Sequence, residues 1–157
     1  MKIAFWSIGK AHEAYVKSGV EDFSRRINNY FKLEWEIIAP LKNAAKMTVP
    51  DIKKSEADII LAKIQKDDFL IALDERGIQL SSEALAQQIQ QCANSSAKRI
   101  VFLIGGAFGI HETLLKRAHF QWSLSKLVFP HQLVRLILAE QVYRACTILK
   151  NEKYHHQ

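Results

Sequence analysis

The chain has 157 residues, enough for one domain that buries roughly two thirds of the surface its unfolded form exposes without help from disulfides or metal. Its 22 Lys and Arg against 16 Asp and Glu leave a formal charge of +6 and a pI near 9.4, which points to a polyanionic partner without identifying one. Cys92 and Cys146 lack any metal-ligand or CxxC spacing, the apolar run at the N-terminus is too short for a secretory signal, and no apolar run could span a bilayer. These features argue against a disulfide scaffold, a zinc module and a membrane protein, and favour a cytoplasmic protein.

In chain order, Lys2 to Ile8 is apolar and aromatic and closes on Gly9, as a buried first strand does. Val16, Val20, Phe23, Ile27 and Tyr30 then recur at helical spacing, with Lys17, Arg25 and Arg26 on other faces. Leu33, Trp35 and Ile37 alternate with Lys32, Glu34 and Glu36, which makes a half-exposed strand near a sheet edge. Residues 40 to 50 hold no period and carry Lys42 and Lys46, a loop able to meet phosphates or simply to sit in water. A helix is expected from Asp51 to Gln65, and a short buried strand from Phe69 to Leu73.

Asp74, Glu75, Arg76 and Gly77 follow that strand directly, a change from apolar to charged at the place where open α/β sheets hold ligands. Ser81 or Ser82 caps a helix to about Gln91, and Arg99 to Ile104 forms the next strand. It runs into Gly105, Gly106, Ala107, Phe108 and Gly109, where bare backbone can approach a ligand closely. This loop is not a GxGxxG fingerprint and no acid follows it at residues 122 to 131, so a nicotinamide-dependent oxidoreductase is disfavoured. After a short helix near His111 to Ala118, Phe120 to Leu124 alternates as a strand. From Pro130 to Leu149 runs a helix of about five turns, too apolar for a single buried face. Strands alternating with helices predict a single α/β domain over residues 1–157, its sheet mostly parallel with helices on both faces.

Five separated motifs carry a resemblance that covers nearly the whole chain. LDERG at 73–77, IGGAFG at 104–109, SLSK with PHQLVR within 123–135, AEQVYRA at 139–145 and YHH at 154–156 resemble the RlmH (YbeA-type) methyltransferases of the SPOUT superfamily. The resemblance implies a SPOUT-type fold with a C-terminal deep trefoil knot and assembly as a homodimer. It implies S-adenosyl-L-methionine as cofactor and methylation of N3 of a pseudouridine in the helix 69 loop of 23S rRNA, on the assembled ribosome. Its cofactor site, carried over by motif, comprises Leu73, Gly105, Leu124, Ser125, Lys126, Leu127, Val128 and Phe129. Family members often have Met-Thr where Leu127 and Val128 stand, and a larger aromatic where Cys146 stands.

For the chemistry, His131, His155 and Glu140 are candidate proton acceptors, and Arg135, Arg144 and Lys126 candidate stabilisers of a developing anion. His131 has a plain alternative as the residue that begins the last helix, and Arg144 as the partner of Glu140 one turn away. The resemblance raises Tyr154 and His155 from a frayed terminus to candidate contacts of a flipped base. A ribosome-binding module without catalysis is the competing reading that the charge alone permits.

Overall fold

The computed structural model describes residues 1–156. Five strands, β1 (Lys2–Ile8), β2 (Lys32–Ile38), β3 (Asp68–Gln79), β4 (Arg99–Ile104) and β5 (Phe120–Ser123), form one sheet in the order β2-β1-β4-β3-β5. Every pairing in it is parallel. The helices α1 (Ala14–Ile27), α2 (Val49–Lys63), α3 (Ser82–Ala93), α4 (Glu112–Arg117) and α5 (His131–Leu149) return the chain between strands. The alternating β/α pattern therefore gives the α/β fold expected of it, with helices on both faces.

The central strands are apolar on both sides because each face carries its own core. Ile3, Phe5, Ile100 and Phe102 pack with α3 and α5, including Leu85, Ile89, Leu138 and Val142. The alternate residues Ala4, Trp6, Val101 and Leu103 pack with Ala57 and Ile60 of α2 and Leu114 of α4. The period of two thus divides neighbouring residues of one strand between two cores. β2 takes a sheet edge, as its polar alternation requires. Helix α5 is apolar around most of its circumference because it packs against α1, α3 and β4 together.

Boundaries shift where capping decides them. Helix α2 begins at Val49 rather than Asp51, since the Thr48 hydroxyl accepts from the Asp51 amide at 3.3 Å and Pro50 fits a first turn that needs no donor there. Ser81 caps α3 by accepting from Ala84 N. The loop at 40–50 contains a single 3-10 turn, Ala44–Lys46, and leaves Lys42 and Lys46 exposed.

The largest difference lies in β3, which continues past Leu73 to Gln79 instead of ending there. Trp122 of β5 pairs with β3 at Leu73 and again at Ile78, so residues 74–77 bulge out between two paired stretches. Gly77 permits this, because a Cβ there would lie 2.5 Å from the Gln121 carbonyl oxygen. Replacing Gly77 with Ala forces β5 away from β3 and is expected to cost about 1–3 kcal/mol, the range of overpacking in a tight core. Urea unfolding of the two forms measures it, and equal midpoints would show that the close approach does not matter.

Candidate active site

The bulge of β3, the carboxyl ends of β4 and β5 and the first turn of α5 enclose a cleft of about 550 Å³. Parallel α/β sheets place ligands at this edge, and the volume suits a nucleoside-sized molecule. Three loops meet there that are far apart in sequence: the β3 bulge, the glycine loop at 105–109 and the segment 124–129. Leu73, Gly105, Leu124, Ser125, Leu127, Val128 and Phe129 all line it, and His131 stands at its edge as the first residue of α5.

Two serines shape the last loop. Ser123 Oγ donates to the Ser125 carbonyl at 3.0 Å, and Ser125 Oγ accepts from the Leu127 amide at 3.0 Å. This bracing leaves Leu127 70% and Val128 82% exposed at the mouth of the cleft, apolar surface without a partner in the chain. Lys126 sits in the same loop with its side chain exposed and outside the cleft lining. The turn that Ser125 braces sends neighbouring side chains to different sides.

Residues outside the expected set also stand in the walls. Asp74 accepts from Arg76 Nε at 2.9 Å and Nη2 at 3.0 Å, a two-pronged pair across the bulge. Its carboxyl is held below its ordinary value chiefly by that guanidinium. Lys53 of α2 and half-exposed Phe108 complete the rim. Behind the glycine loop sits Glu56, whose Oε2 would be 2.7 Å from a Cβ at Gly106. The Asp74–Arg76 pair is local to the bulge, whereas Lys53, Glu56 and Phe108 reach the site from elements distant in sequence, which no local pattern announces.

Arg144, Tyr154 and His155 gather elsewhere. Arg144 donates to Glu140 through Nε at 3.0 Å and lies over the Tyr154 ring at 4.8 Å, while Tyr154 OH donates to Glu140 at 3.0 Å. His155 accepts from Arg144 at Nδ1, 3.2 Å away, and donates from Nε2 to Glu83 at 2.8 Å. Burial and Glu140 push the Tyr154 phenol above its ordinary value, so it remains a donor at neutral pH. Arg144 follows His131 by 13 residues on one helix. At about 1.5 Å per residue that places the cluster roughly 20 Å along α5 from the cleft.

Arg135, a candidate anion stabiliser, is only 1% exposed and reaches neutral groups instead. Its Nε donates to Ser7 Oγ at 3.0 Å, and Nη1 meets His12 Nδ1 at 3.3 Å and Gln132 Oε1 at 3.5 Å. It fastens the loop after β1 to α5 and has no access to a substrate. Among the described residues no group of three His, Cys, Asp or Glu could hold a metal, and no helix is long and apolar enough to cross a membrane.

Fold and cleft together define an α/β domain with a nucleoside-sized cleft at the carboxyl edge of a parallel sheet. Comparison sharpens the class: a family model described as "Predicted SPOUT methyltransferase" matches residues 1–155, and the chain belongs to that family. It is accordingly a methyltransferase. The Ribosomal RNA large subunit methyltransferase H of Cytophaga hutchinsonii is 44% identical over 156 residues, spanning 99% of this chain and 100% of that one. The protein of the same name from Christiangramia forsetii is 43% identical, with 100% of each chain covered. The tRNA (m1G37) methyltransferase of Aquifex aeolicus shares the fold at a TM-score of 0.58 and 16% identity, over 100% of this chain and 76% of that chain.

The clasp at Arg135 has a pH signature. Burial first and Arg135 second lower His12 from its ordinary value of 6.5, and burial likewise lowers His119. Both rings are therefore neutral in the fold at pH 7, while the unfolded chain takes up their protons as pH falls through about 6.5. Stability is full above that value and declines below it. His12→Asn is expected to flatten the fall in melting temperature between pH 7.5 and 5.5; an unchanged slope would contradict the clasp.

Proposed function

We propose that the chain transfers a methyl group from S-adenosyl-L-methionine to N3 of a pseudouridine in the helix 69 loop of 23S rRNA, acting as a homodimer on assembled ribosomes in the cytoplasm. The observation that carries this reading is end-to-end similarity, at 44% identity, to a relative named for large-subunit ribosomal RNA methylation.

The cleft fits the cofactor. Gly105 and Gly106 present backbone without side chains, Leu124, Leu127 and Val128 give apolar cover for an adenine, and the serine-braced loop offers amides and carbonyls to its edge. When bound, S-adenosylmethionine supplies an electrophilic methyl group on a sulfonium. The chain's part is placement, since aligning the acceptor nitrogen with that methyl lowers the barrier by roughly 7–11 kcal/mol.

The N3 proton must also leave, and the C-terminal cluster suits that end of the reaction. Arg144 offers a fixed cation to the developing anion, His155 an imidazole, and Tyr154 a ring and hydroxyl for an unstacked base. Its distance from the cleft along α5 supports a second copy, with each protomer's cluster serving the other's cleft. Partly exposed Leu133 and Ile137 supply apolar surface for such an interface. His131, at the cleft edge, stands as a proton acceptor on the same protomer. The proposal extends to the C-terminal trefoil knot, in which the segment 124–130 is drawn through before α5 packs back against α1 and α3.

The test pairs two chains with two substrates. With labelled S-adenosylmethionine, the full chain should label ribosomes carrying pseudouridine and leave those with uridine at that position unlabelled. A chain ending at Glu152 should bind the cofactor with near-normal affinity and label neither. Labelling of neither substrate by the full chain would defeat the enzyme-substrate assignment, and normal turnover by the shortened chain would remove Tyr154 and His155 from it.

A further inference from the structure

Among the described residues Glu56 Oε1 is the one buried side-chain polar atom with no hydrogen-bond partner. Leaving that oxygen without a donor is costly, while the residue as a whole is only half-buried and can keep its charge. Partial burial raises its carboxyl above the ordinary value. Lys53, one turn earlier on α2, lines the cleft itself.

Its position gives the charge a direction. The carboxylate packs against the bare Cα of Gly106, where an added Cβ would lie 2.7 Å from Oε2 and 3.0 Å from Oε1. The other side of Gly106 is the wall of the cleft. The cleft's other carboxylates project weaker fields: Asp74 is neutralised by Arg76, and Glu75 is exposed and screened by water. Gly106, which Glu56 touches, is itself a wall residue of the cleft, so the carboxylate stands one backbone layer from a bound ligand at that point.

We propose that Glu56 is a specificity-determining residue whose unpaired carboxylate, set behind Gly106, makes the cleft prefer a cationic methyl donor over the neutral thioether left after transfer. This rests on the methyl-donor reading above. In the transfer the S–CH3 bond breaks with its electron pair returning to sulfur, the methyl carbon bonds the acceptor nitrogen, and that nitrogen's proton leaves. Sulfur thereby loses its positive charge. A fixed negative field holds the ligand before this change and loses its grip after it, so it assists exchange of spent for fresh cofactor. Glu56 touches no reacting atom and acts on charge alone.

The experiment is calorimetric binding of S-adenosylmethionine and S-adenosylhomocysteine to the full chain and to Glu56→Gln and Glu56→Asp. The glutamine keeps the shape and removes the charge, so affinity for the charged ligand should fall about tenfold, as a screened unit charge some way off implies. Affinity for the neutral ligand should stay within about twofold, and the aspartate should restore most of the preference because the charge is retained. Melting of the ligand-free Glu56→Gln protein should occur at the same or a higher temperature, since an unpaired carboxylate has gone. Equal loss for both ligands, or a lowered melting temperature with no change in preference, would make Glu56 a brace and overturn the proposal. If the unsubstituted chain binds neither ligand, the methyl-donor reading fails and takes this inference with it.

Discussion

The pairing of Trp122 with β3 at two places, Leu73 and Ile78, is the constraint on which the cleft depends. A strand of four residues cannot pair on both sides of a bulge unless the bulge approaches it closely, and Gly77 supplies the room. The excluded residues 74–77 arch over the carboxyl edge of the sheet. Arg76 and Asp74 close on one another across the arch, fixing it by charge-assisted hydrogen bonds. From that edge the chain leaves β5 directly into the serine-braced loop, so one pairing irregularity sets two of the three cleft walls.

Helix α5 links this corner to the rest of the molecule and has two chemically different ends. Its first turn stands at the cleft and is tied down by Arg135, whose guanidinium is surrounded by Ser7, His12 and Gln132. Burying a cation among neutral groups is expensive, and three hydrogen bonds in fixed geometry are what make it tolerable. The far end carries Arg144, Glu140, Tyr154 and His155 as a connected polar network. Its cation is matched by a carboxylate and remains partly accessible to a ligand. Two arginines on one helix thus differ in setting, Arg135 buried among neutral partners and Arg144 paired with Glu140 and partly exposed.

Much of this was legible in the sequence. Period-two and period-3.6 patterns located the strands and helices, and the apolar circumference of α5 announced a helix packed on several sides. The cleft loops were visible as abrupt changes after β3, β4 and β5, at Asp74, Gly105 and Leu124. What the pattern could not supply was long-range geometry. Nothing local to Phe120–Ser123 says that it pairs outside β3, and nothing near Leu73 says that the strand resumes at Ile78. Arg135 and Glu56 were opaque because their partners, Ser7 and Gly106, lie 128 and 50 residues away in the chain.

In the proposed function a cleft at one end of α5 and a basic cluster at the other form one reaction centre shared by two copies of the chain. Subunit mixing tests it most directly. One chain ends at Glu152 and lacks the tail; a second keeps its tail and has the cleft blocked by Gly105→Leu. Each alone should fail to methylate ribosomes. Mixed dimers should recover activity, since each contains one intact cleft facing one intact tail. No recovery from mixed dimers shown to form would contradict the claim.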